Sequence, residues 1–368
     1  MRIPGVRMFT LLVLGAVLPG ALPGLSQETR DAACQRYATT PLPAEASVTT
    51  PPESPVCESY KSYSGIGREV DYKAARECAW LERSAQEAHL PQNPKAPVAW
   101  VVGGSVILTD LYANGLGVPR DVPLAARLAC EQIGSFVSDA IPDLETRIAD
   151  KQKADQHFEI CDYAATTFEM NFCGAFSSEL ANDQRARSIA HLTAGWTPGQ
   201  RTAFSTAKQA FDNYVKAVGE HETYLGGTIR NIRVQGEEQG LQQEFLLALQ
   251  RYDRGQLPHG SPLEFQRADA ELNLVYRKAV ASAKKSDNSN VDGDVQPEGI
   301  QVTERAWLQY RDTWVTFAKL RYPSTDADVW RTSLTTARTE SLKLTLCGFN
   351  AKDSVCTPTI LKQLQDSL

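Results

Sequence analysis

The sequence predicts an all-α protein in which a short region of helix hairpins precedes helical bundle modules stapled by disulfides. Three observations lead to this prediction. Capping boxes, in which Thr or Ser is followed three residues later by Glu or Gln, mark helix starts at Thr166, Thr197 and Ser261. Aromatic residues recur at helical spacing near the C-terminal end, and the alternation typical of strands is scarce.

Residues 1–26 have the pattern of a secretory signal peptide. Two arginines come first, an apolar run extends from Phe9 to Leu18, and small residues follow. The run is too short to cross roughly 30 Å of hydrocarbon. We therefore expect a periplasmic or secreted protein with no membrane span after the signal is cleaved.

The mature chain is expected to be acidic. Residues 1–26 contain two of the 38 basic residues and none of the 44 acidic ones, so their removal changes the net charge from −6 to −8. An acidic surface repels nucleic acid and anionic lipid and attracts a cationic partner. We expect no nucleic-acid partner.

All eight cysteines follow the signal segment: Cys34, Cys57, Cys78, Cys130, Cys161, Cys173, Cys347 and Cys356. An even number in an exported chain indicates disulfides. Metal binding would require close C-x-x-C or Cys/His pairs, which the sequence lacks. We therefore predict four disulfides and no metal site or cofactor.

Residues 27–56 are expected to be a linker rich in Pro and Thr, because residues 39–56 contain five prolines and no apolar period. Two similar stretches follow within residues 57–135. In each, a Gly-x-Gly pair (starting at Gly65 and Gly115) precedes an aspartate (Asp71 and Asp121) and then Ala-Ala-Arg.

This pattern predicts two helix hairpins, in which the glycines let the chain reverse and the aspartate caps the second helix. Cys57 and Cys78 lie nearly symmetrically about the first turn and should therefore pair, which would leave Cys34 for Cys130. The second stretch resembles Sel-one-like repeats, whose pattern LYxxGxGVxxDxxxA is met by Leu111, Tyr112, Gly115, Gly117, Val118, Asp121 and Ala125. The first stretch is one residue shorter and lacks the valine.

After a connecting helix over residues 136–160, the chain is expected to form two related helical modules, residues 161–255 and 256–368. Ala-Phe-x-x-Tyr at 210–214 is echoed by Ala-Trp-x-x-Tyr at 306–310, and Glu-x-Leu at 244–246 by Glu-x-Leu at 340–342. Both echoes have an offset of 96, which indicates duplication. The acidic stretch 284–299 does not fit a calcium loop, because Gly299 stands where the bidentate glutamate belongs, and we expect a solvated connector.

Aromatic residues form a stripe near the end of the chain. Trp307, Tyr310, Trp314 and Phe317 follow spacings of 3, 4 and 3, which puts them on one side of a helix. A stripe of this kind is more often core than binding surface, because each ring buries about 150–250 Å². The same spacing around Phe211 predicts the partner helix.

Three motifs in residues 268–342 resemble the signature of the LprI-like lysozyme inhibitor family: A-D-x-E-L-N-x-x-Y, E-R-A-W-L-x-Y-R-D and L-T-x-x-R-x-x-x-L. The residues that carry the resemblance are Asp269, Glu271, Leu272, Asn273, Tyr276, Trp307, Tyr310, Arg311, Asp312, Thr335 and Arg338. The segment from Cys161 through T-x-x-E to Cys173 resembles the opening of the same family pattern, so the motif is divided between two incomplete modules.

The family pattern implies a Cys161–Cys173 pair, and geometry agrees with it. On one straight helix the two residues would be about 18 Å apart, but a helix that starts at Thr166 lets Cys161 fold back. Cys347 and Cys356 flank a predicted helix end and would staple the C-terminal segment. A further cysteine pair usual in the family is absent, since Val315 and the region near 331 provide none.

Two contact predictions follow from the motifs. Arg311 or Arg338 should pair with Asp269 or Glu271 across a packed helix junction, because a charge beside the stripe needs a partner. Exposed acids and loop aromatics, such as Trp196 and Trp330, are candidate contacts for a partner protein.

The resemblance implies an exported, non-enzymatic binding protein that acts by contact with another protein, such as a cationic lysozyme. The alternative is a cell-envelope interaction scaffold that uses its Sel-one-like repeats. An enzyme acting on cell-wall polymer is less favoured, since the sequence has no nucleophile-elbow or zinc motif and we assign no catalytic residue. The histidines are scattered: His89, His157, His191, His221 and His259.

Overall fold

The computed structural model describes residues 30–47, 57–89, 103–131, 136–287 and 293–366. These residues form helices and turns with no strand, as the predicted all-α class requires. The predicted signal peptide and residues 288–292 of the predicted connector lie outside the described residues. No helix in the described ranges combines the length and the apolar character needed to cross a membrane.

The N-terminal unit is built from short helices. They are α1 (Arg30–Gln35), α2 (Ser59–Ser64), α3 (Tyr72–His89), α4 (Ser105–Asn114), α5 (Val122–Ala129), α6 (Phe136–Ala149) and α7 (Lys151–Ala154). Single 3-10 turns cover Ala44–Ser47 and Ile160–Tyr163. Helices α2 and α3 pack as one hairpin and α4 and α5 as the next.

The hairpin turns have the local chemistry that the sequence predicts. Gly65 and Gly115 end α2 and α4 with φ of 74° and 70°, a left-handed conformation that favours glycine. Asp71 and Asp121 each accept a hydrogen bond from the N–H three residues further on, at 2.9 and 3.0 Å. This contact satisfies one of the free N–H groups at each helix start.

A first hydrophobic core fills the space between the hairpins and α6. Its largest fully buried side chains are Trp80, Leu108, Leu111, Leu128, Ile141, Leu144 and Phe158. Cys173 and Phe176, from the first turns of the next helix, are buried in the same core. The N-terminal unit therefore includes residues that the sequence suggested would belong to the first bundle module.

The described part of the expected linker is packed on this unit. Residues 30–47 are joined to it by the Cys34–Cys130 disulfide, and Tyr37 donates a hydrogen bond to Glu145 at 2.9 Å. Arg36 pairs with the same carboxylate at 2.6 Å. The proline-rich composition gives no sign of these contacts, because the partner residues lie about a hundred positions away in the chain.

The rest of the described chain forms six helices of 23 to 27 residues and a short final one. They are α8 (Thr167–Thr193), α9 (Pro198–His221), α10 (Arg230–Asp253), α11 (Glu264–Asp287), α12 (Pro297–Arg321), α13 (Ala327–Phe349) and α14 (Pro358–Asp366). Helices α9 and α12 pack along each other at the centre of a second core, and α11 packs along α13. The C-terminal half of α8 contacts this second core through Ile189 and Leu192. The boundary between the two cores thus lies within α8 and not at residue 161.

The bundle has a repeated helix order. The starts of α11, α12 and α13 follow those of α8, α9 and α10 by 97, 99 and 97 residues. In each set the first helix packs on the third, and the two middle helices pack on each other. This order agrees with a duplicated module, which stays a prediction.

All eight cysteines are in disulfides, and the pairs are those that the sequence suggested. They are Cys34–Cys130, Cys57–Cys78, Cys161–Cys173 and Cys347–Cys356. Thr166 and Glu169 form a complete capping box at the start of α8. Cys161 lies in the turn before this cap, so the chain reverses and the Cα atoms of Cys161 and Cys173 are 5.6 Å apart.

Candidate functional site

The aromatic stripe of α12 is core, as the sequence predicts. Trp307, Trp314 and Phe317 are no more than 2% exposed. The ring of Tyr310 lies against Phe211 and Tyr214 of α9, with centroids 5.0 and 6.2 Å apart. These rings fix α12 against α9 and thereby determine which face of α12 is left at the surface.

A buried arginine ties three helices together beneath that surface. The guanidinium of Arg338, on α13, contacts Glu222 at 2.6 and 2.8 Å and Glu304 at 3.0 Å. It also lies over the ring of Tyr214, 5.5 Å from the centroid. Burial by itself would lower the pKa of Arg338, but the neighbouring carboxylates, led by Glu222, raise it well above the usual value. The cation is therefore permanent, and the pair with Glu222 at the end of α9 links the predicted modules.

The predicted partners of the two arginines are wrong. Arg338 pairs with Glu222 and Glu304 instead of Asp269 or Glu271. Arg311 bonds its neighbour Asp312 at 2.9 Å and lies over the Trp307 ring. The prediction failed because the acid nearest Arg338 comes from a helix end 116 positions away, outside every motif.

The remaining motif acids have local partners. Glu271 receives Lys343 of α13 at 2.7 Å. Asp269 accepts a hydrogen bond from Asn273, one helical turn later, at 3.0 Å. The Glu271–Lys343 ion pair is partly exposed, and pairs of this kind contribute little to stability.

Between α11 and α12 the surface has a groove of about 310 Å³, which we call the motif groove. From α11 it is lined by Asp269, Leu272, Asn273 and Tyr276, and from α12 by Gln301, Glu304, Arg305, Trp307 and Leu308. Most of these positions belong to the motifs identified in the sequence. The structure therefore brings two motifs, separated by more than 25 positions, to one surface feature.

The motif groove combines buried apolar residues, Leu272 and Trp307, with a half-buried carboxylate and a mixed rim. Glu304 is the half-buried carboxylate among the lining residues; burial raises its pKa, and the contact with Arg338 opposes that shift. Leu308 and Arg305 are exposed on the rim, and Leu308 is 37% exposed. A surface of this composition suits contact with another polar protein surface, with an apolar anchor and charged surroundings.

Other motif residues support the groove without lining it. Tyr310, Thr335 and Arg338 are buried at the junction of α12 with α13 and α9. Arg311 and Asp312 lie on α12 beyond the groove, and Glu271 is exposed on α11. The motif thus combines a structural junction with a surface, which spacing alone did not separate.

The suggested aromatic contacts, Trp196 and Trp330, are wrong. Trp196 is 6% exposed and stacks on Phe317 at 5.3 Å, while Trp330 is fully buried beside Tyr252. Both lie at or near helix ends, where sequence suggests loops. Their rings close the end of the second core instead of facing solvent.

One cluster of metal-ligating atoms occurs in the described ranges, formed by Cys57, Cys78 and Glu82. Its two sulfurs are bonded to each other, so they cannot act as thiolate ligands. The Glu82 carboxylate accepts hydrogen bonds from Ser59 N–H at 3.0 Å and Gly104 N–H at 2.9 Å. The Glu82 carboxylate thus caps the starts of α2 and α4, which explains why it is buried.

The architecture defines the chain as a disulfide-linked helical protein with a groove between α11 and α12 of its C-terminal bundle. Residues 261–342 match the model of a family described as lysozyme inhibitor LprI. The matched segment covers about a fifth of the chain and contains α11, α12, most of α13 and the whole motif groove. No curated protein and no solved structure matches the chain.

Proposed function

We propose that this protein is an exported, non-enzymatic inhibitor of a lysozyme-type enzyme and that it acts by protein–protein contact through the motif groove. The observation that carries the proposal is the coincidence of two findings. Residues 261–342 are similar to lysozyme inhibitors, and within them residues of two of the three motifs line one groove.

Charge and covalent structure support the same proposal. The chain carries a net charge of −6, which favours encounter with a cationic enzyme and raises the association rate more than the affinity. Four disulfides suit an oxidising compartment, which agrees with a periplasmic or secreted protein.

The test is a muramidase assay with the oxidised mature chain and hen egg-white lysozyme acting on a bacterial cell-wall suspension. The protein is expected to slow clearing of the suspension at micromolar concentration. Leu308→Arg places a positive charge in the groove and should raise the inhibition constant at least about tenfold, which corresponds to about 1.4 kcal/mol.

The matched control is Leu263→Arg, which makes the same substitution at a residue that is 82% exposed and lies outside the groove. It should change inhibition less than about twofold. Absence of inhibition by the wild type in micromolar excess would contradict the inhibitor proposal. Equal effects of the two variants would contradict the assignment to the motif groove. Binding of another envelope protein without lysozyme inhibition would favour the scaffold alternative.

A further inference from the structure

A second buried arginine, Arg185 on α8, has no acidic partner in the described part of the chain. Its residue surface is 7% exposed. Its Nη2 donates to Asn182 Oδ1 at 2.6 Å and to Gln239 Oε1, both of which are neutral amide oxygens. Burial lowers its pKa, and no nearby charge opposes that effect. The charge of Arg338 is therefore compensated by two carboxylates, whereas the charge of Arg185 is not compensated by any.

The hydrogen bonds of Arg185 leave part of its guanidinium available. Both contacts in the described ranges use the same nitrogen, Nη2. A guanidinium carries five N–H donors in a planar fork that fits the two oxygens of a carboxylate. The Nε and Nη1 side of Arg185 can therefore accept such a group.

Arg185 lines a groove of about 470 Å³ between α8, α9 and α10, which we call the arginine groove. One wall is apolar and formed by Ala186, Ile189 and Ala190. The opposite wall has Lys208 and Asp212, with the Lys208 Nζ 2.5 Å from the Asp212 carboxylate. Gln242 donates to the same carboxylate at 2.7 Å.

The charges that line the arginine groove sum to +1 in a chain whose net charge is −6. Asp212 is already held by Lys208 and Gln242, so it does not neutralise Arg185. A buried cation that is paired only with amides is electrostatically incomplete, and an incoming anion would complete it. The apolar wall adds a preference for an anion that carries a small apolar group.

We propose that the arginine groove binds the carboxylate of a small acid or of a peptide chain end, with the carboxylate on Arg185 and an adjacent apolar group against Ile189. The site lies on helices α8 to α10 and is separate from the motif groove on α11 and α12. The proposed carboxylate site is therefore additional to the proposed lysozyme-binding surface, and it does not depend on that surface.

The probe is N-acetyl-L-alanine, titrated calorimetrically into the oxidised full chain, with N-acetyl-L-alaninamide as the neutral control. We expect the acid to bind with a Kd of about 1 mM. The amide should show no measurable binding. A tetrapeptide with a free C-terminal alanine and its amidated form are titrated in the same way. Tighter binding of the free tetrapeptide than of N-acetyl-L-alanine would identify a peptide chain end as the ligand, and weaker binding would identify a small acid.

Two variants test the assigned residues. Arg185→Gln should weaken binding of the acid at least about tenfold. Because this residue is buried, Ala186→Phe provides an independent test, since Ala186 is exposed and the new ring would fill the groove while leaving Arg185 in place. Ala337→Phe, at an exposed position on α13, is the matched control and should leave the Kd unchanged.

Equal binding of the acid and the amide would overturn the proposal, as would no binding of either. Tighter binding of inorganic phosphate than of the acid would also overturn it, since the site would then select charge without carboxylate geometry. The lysozyme assay reports on a different groove, so failure of one proposal does not imply failure of the other.

Discussion

Replacement of Arg338 by Met tests whether the buried charge cluster holds the bundle together. The Arg338 side chain is 0% exposed, and those of Glu222 and Glu304 are 2% and 14% exposed. Arg338→Met keeps a long apolar side chain but leaves two carboxylates without their cation. Removal of one partner from a buried pair costs about 3–5 kcal/mol, and we expect a loss in this range in the free energy of unfolding.

The matched control is Arg331→Met on the same helix. Arg331 pairs with Asp328, and their side chains are 33% and 37% exposed. Water screens a pair of this kind, so the control should cost less than about 1 kcal/mol. The comparison separates the loss of a buried cation from the loss of any arginine on α13.

The triple variant Arg338→Met, Glu222→Gln and Glu304→Gln removes all three charges together. It should recover most of the stability, to within about 2 kcal/mol of the wild type, because no uncompensated charge is left in the core. Acidification should also relieve the single variant. Burial raises the folded pKa of Glu304, and a carboxyl group of this kind contributes stability that is present below its unfolded pKa of about 4.3 and is lost as the pH rises through the folded pKa.

The assay is urea unfolding followed by tryptophan fluorescence with the disulfides intact. Trp307, Trp314 and Trp330 are all buried in the second core and therefore report on it. Urea is preferred to guanidinium salts because it does not screen charge. The reasoning is refuted if Arg338→Met costs no more than Arg331→Met, or if the triple variant is as unstable as the single one.

Two further predictions concern the N-terminal unit. Burial, followed by the adjacent Glu159 carboxylate, raises the pKa of Asp110 well above its usual value. The stability that this shift contributes is therefore present below the unfolded pKa of about 3.9 and is lost as the pH rises through the folded pKa. Asp110→Asn should raise the melting temperature at pH 7 and flatten the dependence of that temperature on pH between about 4 and 8. A profile as steep as that of the wild type would contradict this prediction. Thr166→Ala removes the hydroxyl that accepts the Glu169 N–H at 3.3 Å and should cost about 1 kcal/mol, measured by urea unfolding, whereas Thr206→Ala, at an exposed position inside α9, should cost much less.

Local features of the fold were predictable from the sequence. The capping boxes at Thr166 and Thr197 are present, whereas the helix start predicted at Ser261 is wrong, since α11 begins at Glu264; the aromatic stripe of α12 is buried as its spacing indicates. Glycine turns and aspartate caps also lie where the hairpin pattern puts them. Each of these depends on interactions within a few residues, which are visible as spacing in the sequence.

Features that depend on distant partners were not predictable in the same way. Glu222 gave no signal as the partner of Arg338, because it follows the end of α9 and belongs to no motif. The sequence predicts exposure for Trp196 and Trp330 because both lie at or near helix ends, but other helices pack over them. The environment of Arg185 has no signal in the sequence, since an isolated arginine on a helix reveals neither its burial nor the absence of an acid.

The motif groove was predictable as a set of residues but not as a surface. Family resemblance selected Asp269, Asn273 and Trp307 without indicating which of them would be accessible. Their arrangement follows from the orientation of α12, because its aromatic face packs against α9. The separation into a buried face and an exposed one is thus a tertiary effect that the periodicity of α12 only partly encodes.

Helix α8 is continuous from one core to the other. Its N-terminal turns are linked by the Cys161–Cys173 disulfide to the turn that precedes the helix, and its C-terminal turns pack on the second core. With 27 residues it is about 40 Å long. No loop residues interrupt the helix between the two cores. Proteases, which cut extended backbone, have no ready cleavage point within this helix, so the two halves of the molecule should resist separation by limited digestion there.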